Sequence, residues 1–182
     1  MKETDFKDLF AEELAEKVKL IVQDCVIETD LEILIPETYI NNSSERLQLY
    51  SSLDNIKDEP ALQKFSEGLK DRFGPIPESV EQLINSVRLR WMGEELGFEK
   101  ISLKNEKLRG YFITGKEDYF KSEVFGKVLT FVQSHARQCR MKETAGKLIL
   151  TIENIKSVNA AIDIVDKILD YKFRSARETI SA

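Results

Sequence analysis

The sequence predicts an α+β domain: a helical subdomain of three helices, packed with short antiparallel hairpins and two further helices. Three observations carry that reading. The apolar period is two near the start, three to four through the middle, and alternates between the two afterwards. Glycine and proline fall where helices should start and stop, at Pro60, at Gly74-Pro75-Ile76-Pro77 and at Gly97. The strand–helix–strand rhythm of a doubly wound parallel sheet is missing.

Residues 5–21 have a loose apolar stripe of Leu9, Leu14, Val18 and Ile21, with Asp5 as a cap. The segment is strongly acidic, and residues 1–24 are expected to be a helical linker or appendage. Residues 25–173 are expected to be the domain proper, and 174–182 a frayed tail. From Cys25 to Ile35 apolar and polar residues alternate, as in a strand with one covered face; Pro36 then stops the ladder. After a loop to Asn42, Ser43 or Ser44 caps a helix whose inner stripe is Leu47, Tyr50 and Leu53. Pro60 opens the next, with Leu62, Phe65, Leu69 and Phe73 inside and Gly74 at its end. Pro77 opens the third, carrying Val80, Leu83, Ile84, Val87, Trp91 and Leu96 up to Gly97.

Residues 98–113 read as a hairpin around Asn105-Glu106-Lys107, whose turn type the sequence does not define. A polar link spans 114–121. A helix near 122–136 presents Val124, Val128, Phe131 and Val132. A second hairpin turns at Gly146, and a last helix follows Ser157 with Val158, Ala161, Ile162, Val165, Ile168 and Leu169.

The chemistry-bearing residues are sparse. The chain has 182 residues, two cysteines and one histidine. Cys25 and Cys139 stand outside any pairing motif and read as reduced, buried thiols. With His135 they lack zinc-ligand spacing, so no metal is expected. No phosphate loop, dinucleotide fingerprint or nucleophile–base pattern occurs, so neither a cofactor nor catalytic residues are expected. The acidic start does not resemble a signal peptide, and no apolar run reaches bilayer length, which together with reduced thiols indicates the cytoplasm.

The net charge is −5, which argues against bulk attraction to nucleic acid. It is uneven: residues 1–60 hold 15 acids and 6 bases, residues 61–182 hold 17 acids and 21 bases. The bases of the second part look scattered, with Arg88 and Arg90 on different helix faces and Lys100, Lys104, Lys107 and Arg109 about one hairpin. A solvated face is the simpler reading, and an accessory nucleic-acid-binding domain the alternative. On the second helix Glu67 and Asp71 are four apart and share one face. They form a carboxylate pair placed to meet arginines of another domain, or simply to solubilise the helix.

Four stretches have a distinctive order: Ile35-Pro36-Glu37-Thr38-Tyr39-Ile40, Arg46-Leu47-Gln48-Leu49-Tyr50, Leu69-Lys70-Asp71-Arg72-Phe73-Gly74-Pro75-Ile76-Pro77, and Glu94-Glu95-Leu96-Gly97-Phe98-Glu99-Lys100-Ile101. Together they resemble the C-terminal domain of bacterial transcription-repair coupling factors, ATP-driven DNA translocases. The resemblance is strong over 28–101 and extends in order to Leu169. It implies a domain without the motor and without catalysis of its own. Such a domain packs on the UvrB-homology module of the full-length protein, masks the surface that UvrA uses and restrains translocation. UvrA and RNA polymerase are then indirect partners. The resemblance places the interdomain ion pair on Asp71. A second acid would fall on Gly68, a departure for which Glu67 is the substitute although it lies about 100° round the helix. Arg46 with Tyr50 is expected to tie the first two helices together, and Arg72 to meet a carboxylate at the domain edge.

Overall fold

The computed structural model describes Val22 and residues 24–170. The expected helix over 5–21 and the frayed tail over 174–182 lie outside the described residues. The fold is α+β. Strand β1 (Val26–Thr29) leads to helices α1 (Ser43–Asn55), α2 (Glu59–Phe73) and α3 (Glu78–Leu96). Then come β2 (Phe98–Lys104), β3 (Lys107–Phe112), a one-turn helix α4 (Glu117–Phe120) and α5 (Glu123–Ser134). Strands β4 (Cys139–Thr144) and β5 (Lys147–Glu153) and helix α6 (Val158–Leu169) complete it.

The five strands form one sheet in the order β1-β2-β3-β5-β4. Both hairpins are antiparallel, as is the β3–β5 pair between them. Both turns are two residues long with positive φ throughout, Asn105-Glu106 at 55° and 58° and Ala145-Gly146 at 51° and 75°. That is the type I′ geometry whose twist matches the strands. The β1–β2 pair is parallel, pairing Val26 with Lys100 and Thr29 with Leu103. Antiparallel hairpins therefore do not account for the whole sheet. The three central helices form the crossover that a parallel pair requires.

Helical order follows the local chemistry. Asp58, Ser122 and Ser157 each accept a backbone N–H from the first turn of α2, α5 and α6. Gly74 and Gly97 end α2 and α3, both with φ of 88°. Helix α3 serves two cores. Val80, Ile84 and Val87 pack with Ile35, Ile40, Leu53, Leu62 and Leu69 in a helical lobe. Leu89 and Leu96 pack with the sheet, α5 and α6 in the second lobe.

Several details differ from the sequence reading. The first strand stops at Thr29 rather than running to Ile35. The Thr29 hydroxyl accepts the Leu31 N–H, and the Asp30 carboxylate accepts the Asn105 N–H, so the chain turns off the sheet before Pro36. Asn42, and neither Ser43 nor Ser44, caps α1 by accepting the Glu45 N–H. Leu47 is 69% exposed and outside the core, and Leu49 takes its place beside Tyr50, Leu53 and Ile56, which face inward as expected. The link at 114–121 is not wholly polar, because α4 buries Tyr119 completely among Phe112 and Phe125. Its hydroxyl donates to the Leu96 carbonyl at the end of α3. His135 caps α5 at its C-terminus and stacks on Phe131, with ring centroids 4.0 Å apart.

Candidate contact surface at the end of the second helix

Three of the four stretches singled out in the sequence meet about α2 and its C-terminal end; the fourth, residues 94–101, lies at the junction of α3 and β2. Tyr39 is central. Its hydroxyl is shared between the carbonyls of Leu69 at 3.2 Å, in the last turn of α2, and Gly74 at 3.0 Å, just past its end. Its ring meets Phe73 edge-on, with centroids 5.9 Å apart. The backbone N–H groups of Tyr39 and Ile40 donate to the Pro36 carbonyl, which folds Pro36–Ile40 into a compact turn.

A second set of ties fixes that turn to α1. Arg46 donates to the carbonyls of Ile40 at 2.6 Å and Asn41 at 3.0 Å. Tyr50 accepts the Ile35 N–H at 2.7 Å. Both residues therefore hold the 35–41 loop on α1, and do not join α1 to α2 as their spacing suggested. The α1–α2 link is Arg72, which pairs with Glu45 and lies 4.8 Å from the Phe73 ring centroid. Arg88 of α3 grips Glu59 at the other end of α2 with Nε and Nη2 at 2.5–3.1 Å. Hydrogen bonds from Arg88 are the main reason the Glu59 carboxyl titrates below the usual range.

On this clamped helix Glu67 and Asp71 are both exposed, one turn apart, and neither has an ion-pair partner among the described residues. Gly68 lies beside them, and a Cβ there would meet nothing within 4 Å. An acidic side chain at 68 would therefore find open space. The two cations nearest in sequence differ in use: Arg72 is committed to Glu45, while Lys70 is exposed with no carboxylate partner among the described residues.

A cleft of about 460 Å³ lies elsewhere, between β1, α1 and α3, lined in part by Cys25, Tyr50, Asp54 and Arg90. It is a seam between the lobes. Its thiol is no activated nucleophile: burial first, then the carboxylates of Glu94 and Asp24, push Cys25 up to about 12. Burial likewise raises Cys139 to about 11. Among the described residues no helix is long and apolar enough to cross a membrane, and no three His, Cys, Asp or Glu side chains group as a metal-binding set.

The fold defines a class: an α+β domain whose helical lobe and mixed five-stranded sheet share one long helix. The family model of the TRCF domain matches residues 29–123, and the chain belongs to that family. It is 25% identical over 144 residues to the transcription-repair-coupling factor of Rickettsia prowazekii (strain Madrid E), covering 74% of this chain and 12% of that protein. To that of Borreliella burgdorferi it is 28% identical over 134 residues, covering 71% and 12%. To that of Escherichia coli (strain K12) it is 32% identical over 88 residues, covering 48% and 8%. The chain thus matches only 8–12% of the length of these relatives. The crystal structure of a C-terminal domain of transcription-repair coupling factor superposes with a TM-score of 0.65 at 16% identity, covering 84% of this chain and 96% of that one. The match is thus to the TRCF domain, and the superposed structure is a C-terminal domain of such a protein.

Proposed function

We propose that this domain is a removable cover within a cytoplasmic transcription-repair coupling factor. It packs through the Glu67–Asp71 side of α2 on the UvrB-homology module of the same protein. There it masks the surface that UvrA uses and holds the translocase in a restrained state until UvrA or RNA polymerase shifts the balance. The observation that carries this reading is the pair of exposed carboxylates on a helix end locked by Tyr39, Arg46 and Arg72. A locked helix loses little freedom on docking, and charges held in register give partner choice. Exposed ion pairs contribute only up to about 1 kcal/mol each, which suits a contact that must open.

The test is calorimetric titration of this chain against the separately produced UvrB-homology module. Asp71→Arg is expected to weaken binding roughly tenfold, because a like charge then faces the partner's arginines. Gly68→Glu is expected to tighten it, and to stabilise α2 by up to about 1 kcal/mol through helix propensity alone. Added UvrA should compete. An unchanged Kd for Asp71→Arg, or a stable complex of all three proteins, would sink the proposal.

A further inference from the structure

The bases that look scattered along the sequence converge on the face of the sheet that no helix among the described residues covers. All core-facing strand residues, among them Ile101, Leu103, Leu108, Leu150 and Ile152, point to the side packed by helices. Alternation sends the others outward. The register then builds rows across the strands. One row is Lys100, Tyr111, Ile149 and Lys142. The next is Ser102, Arg109, Thr151 and Arg140, and a third begins with Lys104 and Lys107. With Lys147, this face carries seven bases, whereas its acids are Glu28, Glu99 and Glu153. It is thus net positive in a chain whose net charge is −5.

The acids sit at the margins of the face and engage only part of the bases. Glu28 on the edge strand pairs with Lys100 at 3.1 Å and Lys104 at 3.4 Å. Glu153 pairs with Lys107 at 3.4 Å, and Glu99 with Lys147 at 3.1 Å. Arg109, Arg140 and Lys142 have no carboxylate partner among the described residues. Arg109 is the outward neighbour of Tyr111 on β3, and Arg140 and Lys142 lie two strands away on β4; Tyr111 is half-buried, with Lys100 Nζ 5.1 Å from its ring centroid.

We infer that this face binds single-stranded nucleic acid, with phosphodiesters on Arg109, Arg140 and Lys142 and a base on Tyr111. Same-face neighbours lie roughly 7 Å apart along a strand, and alternate strands about 10 Å apart. That grid holds successive phosphates of one extended chain. An aromatic ring among cations is the elementary unit of single-strand binding. The centre of a protein–protein contact is depleted of lysine and rich in apolar surface, and here the apolar groups on the outward rows are Tyr111, Ile149 and, on the edge strand, Val26. A duplex hides its base faces and would leave Tyr111 unused.

The experiment is fluorescence anisotropy of this chain with a labelled single-stranded oligothymidylate at about 50 mM salt, repeated at rising salt. Saturable binding is expected. The double variant Arg140→Glu, Lys142→Glu should weaken it at least roughly tenfold and reduce the salt slope by roughly 1.4. Tyr111→Ala should weaken it roughly tenfold at unchanged slope, since stacking releases no counterions; Tyr111→Leu serves if the alanine variant melts early. Asp71→Arg should leave it unaltered, which separates this surface from the helical one. Absence of saturable binding at low salt overturns the inference. So does polyglutamate binding as tightly as the oligonucleotide, which would assign the face to an acidic protein. Duplex binding of equal strength that is indifferent to Tyr111→Ala overturns it as well.

Discussion

The two lobes on either side of α3 are held together by different means. Among the described residues the sheet lobe buries twenty-three in one cluster, whereas the helical lobe buries eight. Apolar burial at about 25 cal/mol per Å² thus favours the first far more than the second. The helical lobe makes up part of the difference with directional ties: Tyr39 on Leu69 and Gly74, Tyr50 on Ile35, Arg46 on Ile40, Arg88 on Glu59. Such ties need particular side chains at particular positions. The sheet lobe asks only for apolar residues of suitable volume on one face. This is why the recognisable motifs crowd into residues 35–101, and why the acidic end of α2 is rigid although its core is small.

The junction of the lobes should be the most sensitive point. Gly97 ends α3 in the left-handed region, and the Tyr119 ring lies where its Cβ would be. Gly97→Ala meets both a backbone penalty of about 1–2 kcal/mol and overpacking against a buried ring of similar size. A loss of roughly 3 kcal/mol is expected in urea unfolding. A change below about 1 kcal/mol would mean that Tyr119 swings away freely and that the lobes are not locked there. Next in size is Tyr39→Phe, which keeps the ring contact with Phe73 and removes the hydroxyl from two helix-end carbonyls. About 1–2 kcal/mol is expected, with faster amide exchange around Leu69–Gly74. If stability does not move, polar ties are not what holds the helical lobe.

Much of this contrast was legible in the sequence. Helix limits at Pro60, Gly74 and Gly97 follow from backbone chemistry, and the structure places α2 and α3 between them. The acidic pair Glu67 and Asp71 was visible from four-residue spacing, and exposure on α2 is consistent with it. What failed was set by tertiary context. Leu47 matches a helical apolar period, yet α1 turns Leu49 inward instead, because Tyr50 must reach Ile35. Tyr119 sits among Lys116, Glu117, Asp118 and Lys121, and nothing local announces that Leu96 and Gly97 wait for its ring. The basic face was missed because bases at every second position on four strands are scattered in sequence. Only the β3–β5 register assembles them.

A smaller effect tests the seam between the lobes. Glu94 of α3 is partly buried, and burial raises its carboxyl above the usual range; the hydrogen bond from the Cys25 backbone, then Arg90 and Lys57, oppose the rise, and Asp24 adds to it. Between the unfolded and folded pKa values the native state binds more protons than the unfolded chain. Stability therefore falls as pH rises through that window, and the full penalty persists at neutral pH. Glu94→Gln should raise Tm at pH 7 by roughly 2 °C and make no difference near pH 4. An equal rise at both pH values would point to packing rather than charge.

The least effect is expected at Leu47, where the exposed side of α1 continues toward solvent beyond Tyr50. Its side chain is 69% exposed, so little apolar area leaves water there on folding. Glutamine has similar helix propensity and a similar flexible stem. Leu47→Gln should therefore change unfolding free energy by less than about 0.5 kcal/mol, as surface substitutions usually do. A loss of about 2 kcal/mol would mean that α1 is rotated in solution, with Leu47 buried and Leu49 or Tyr50 released. The ties from Tyr50 to Ile35 and from Arg46 to Ile40 would then not be the ones that steady the acidic helix end.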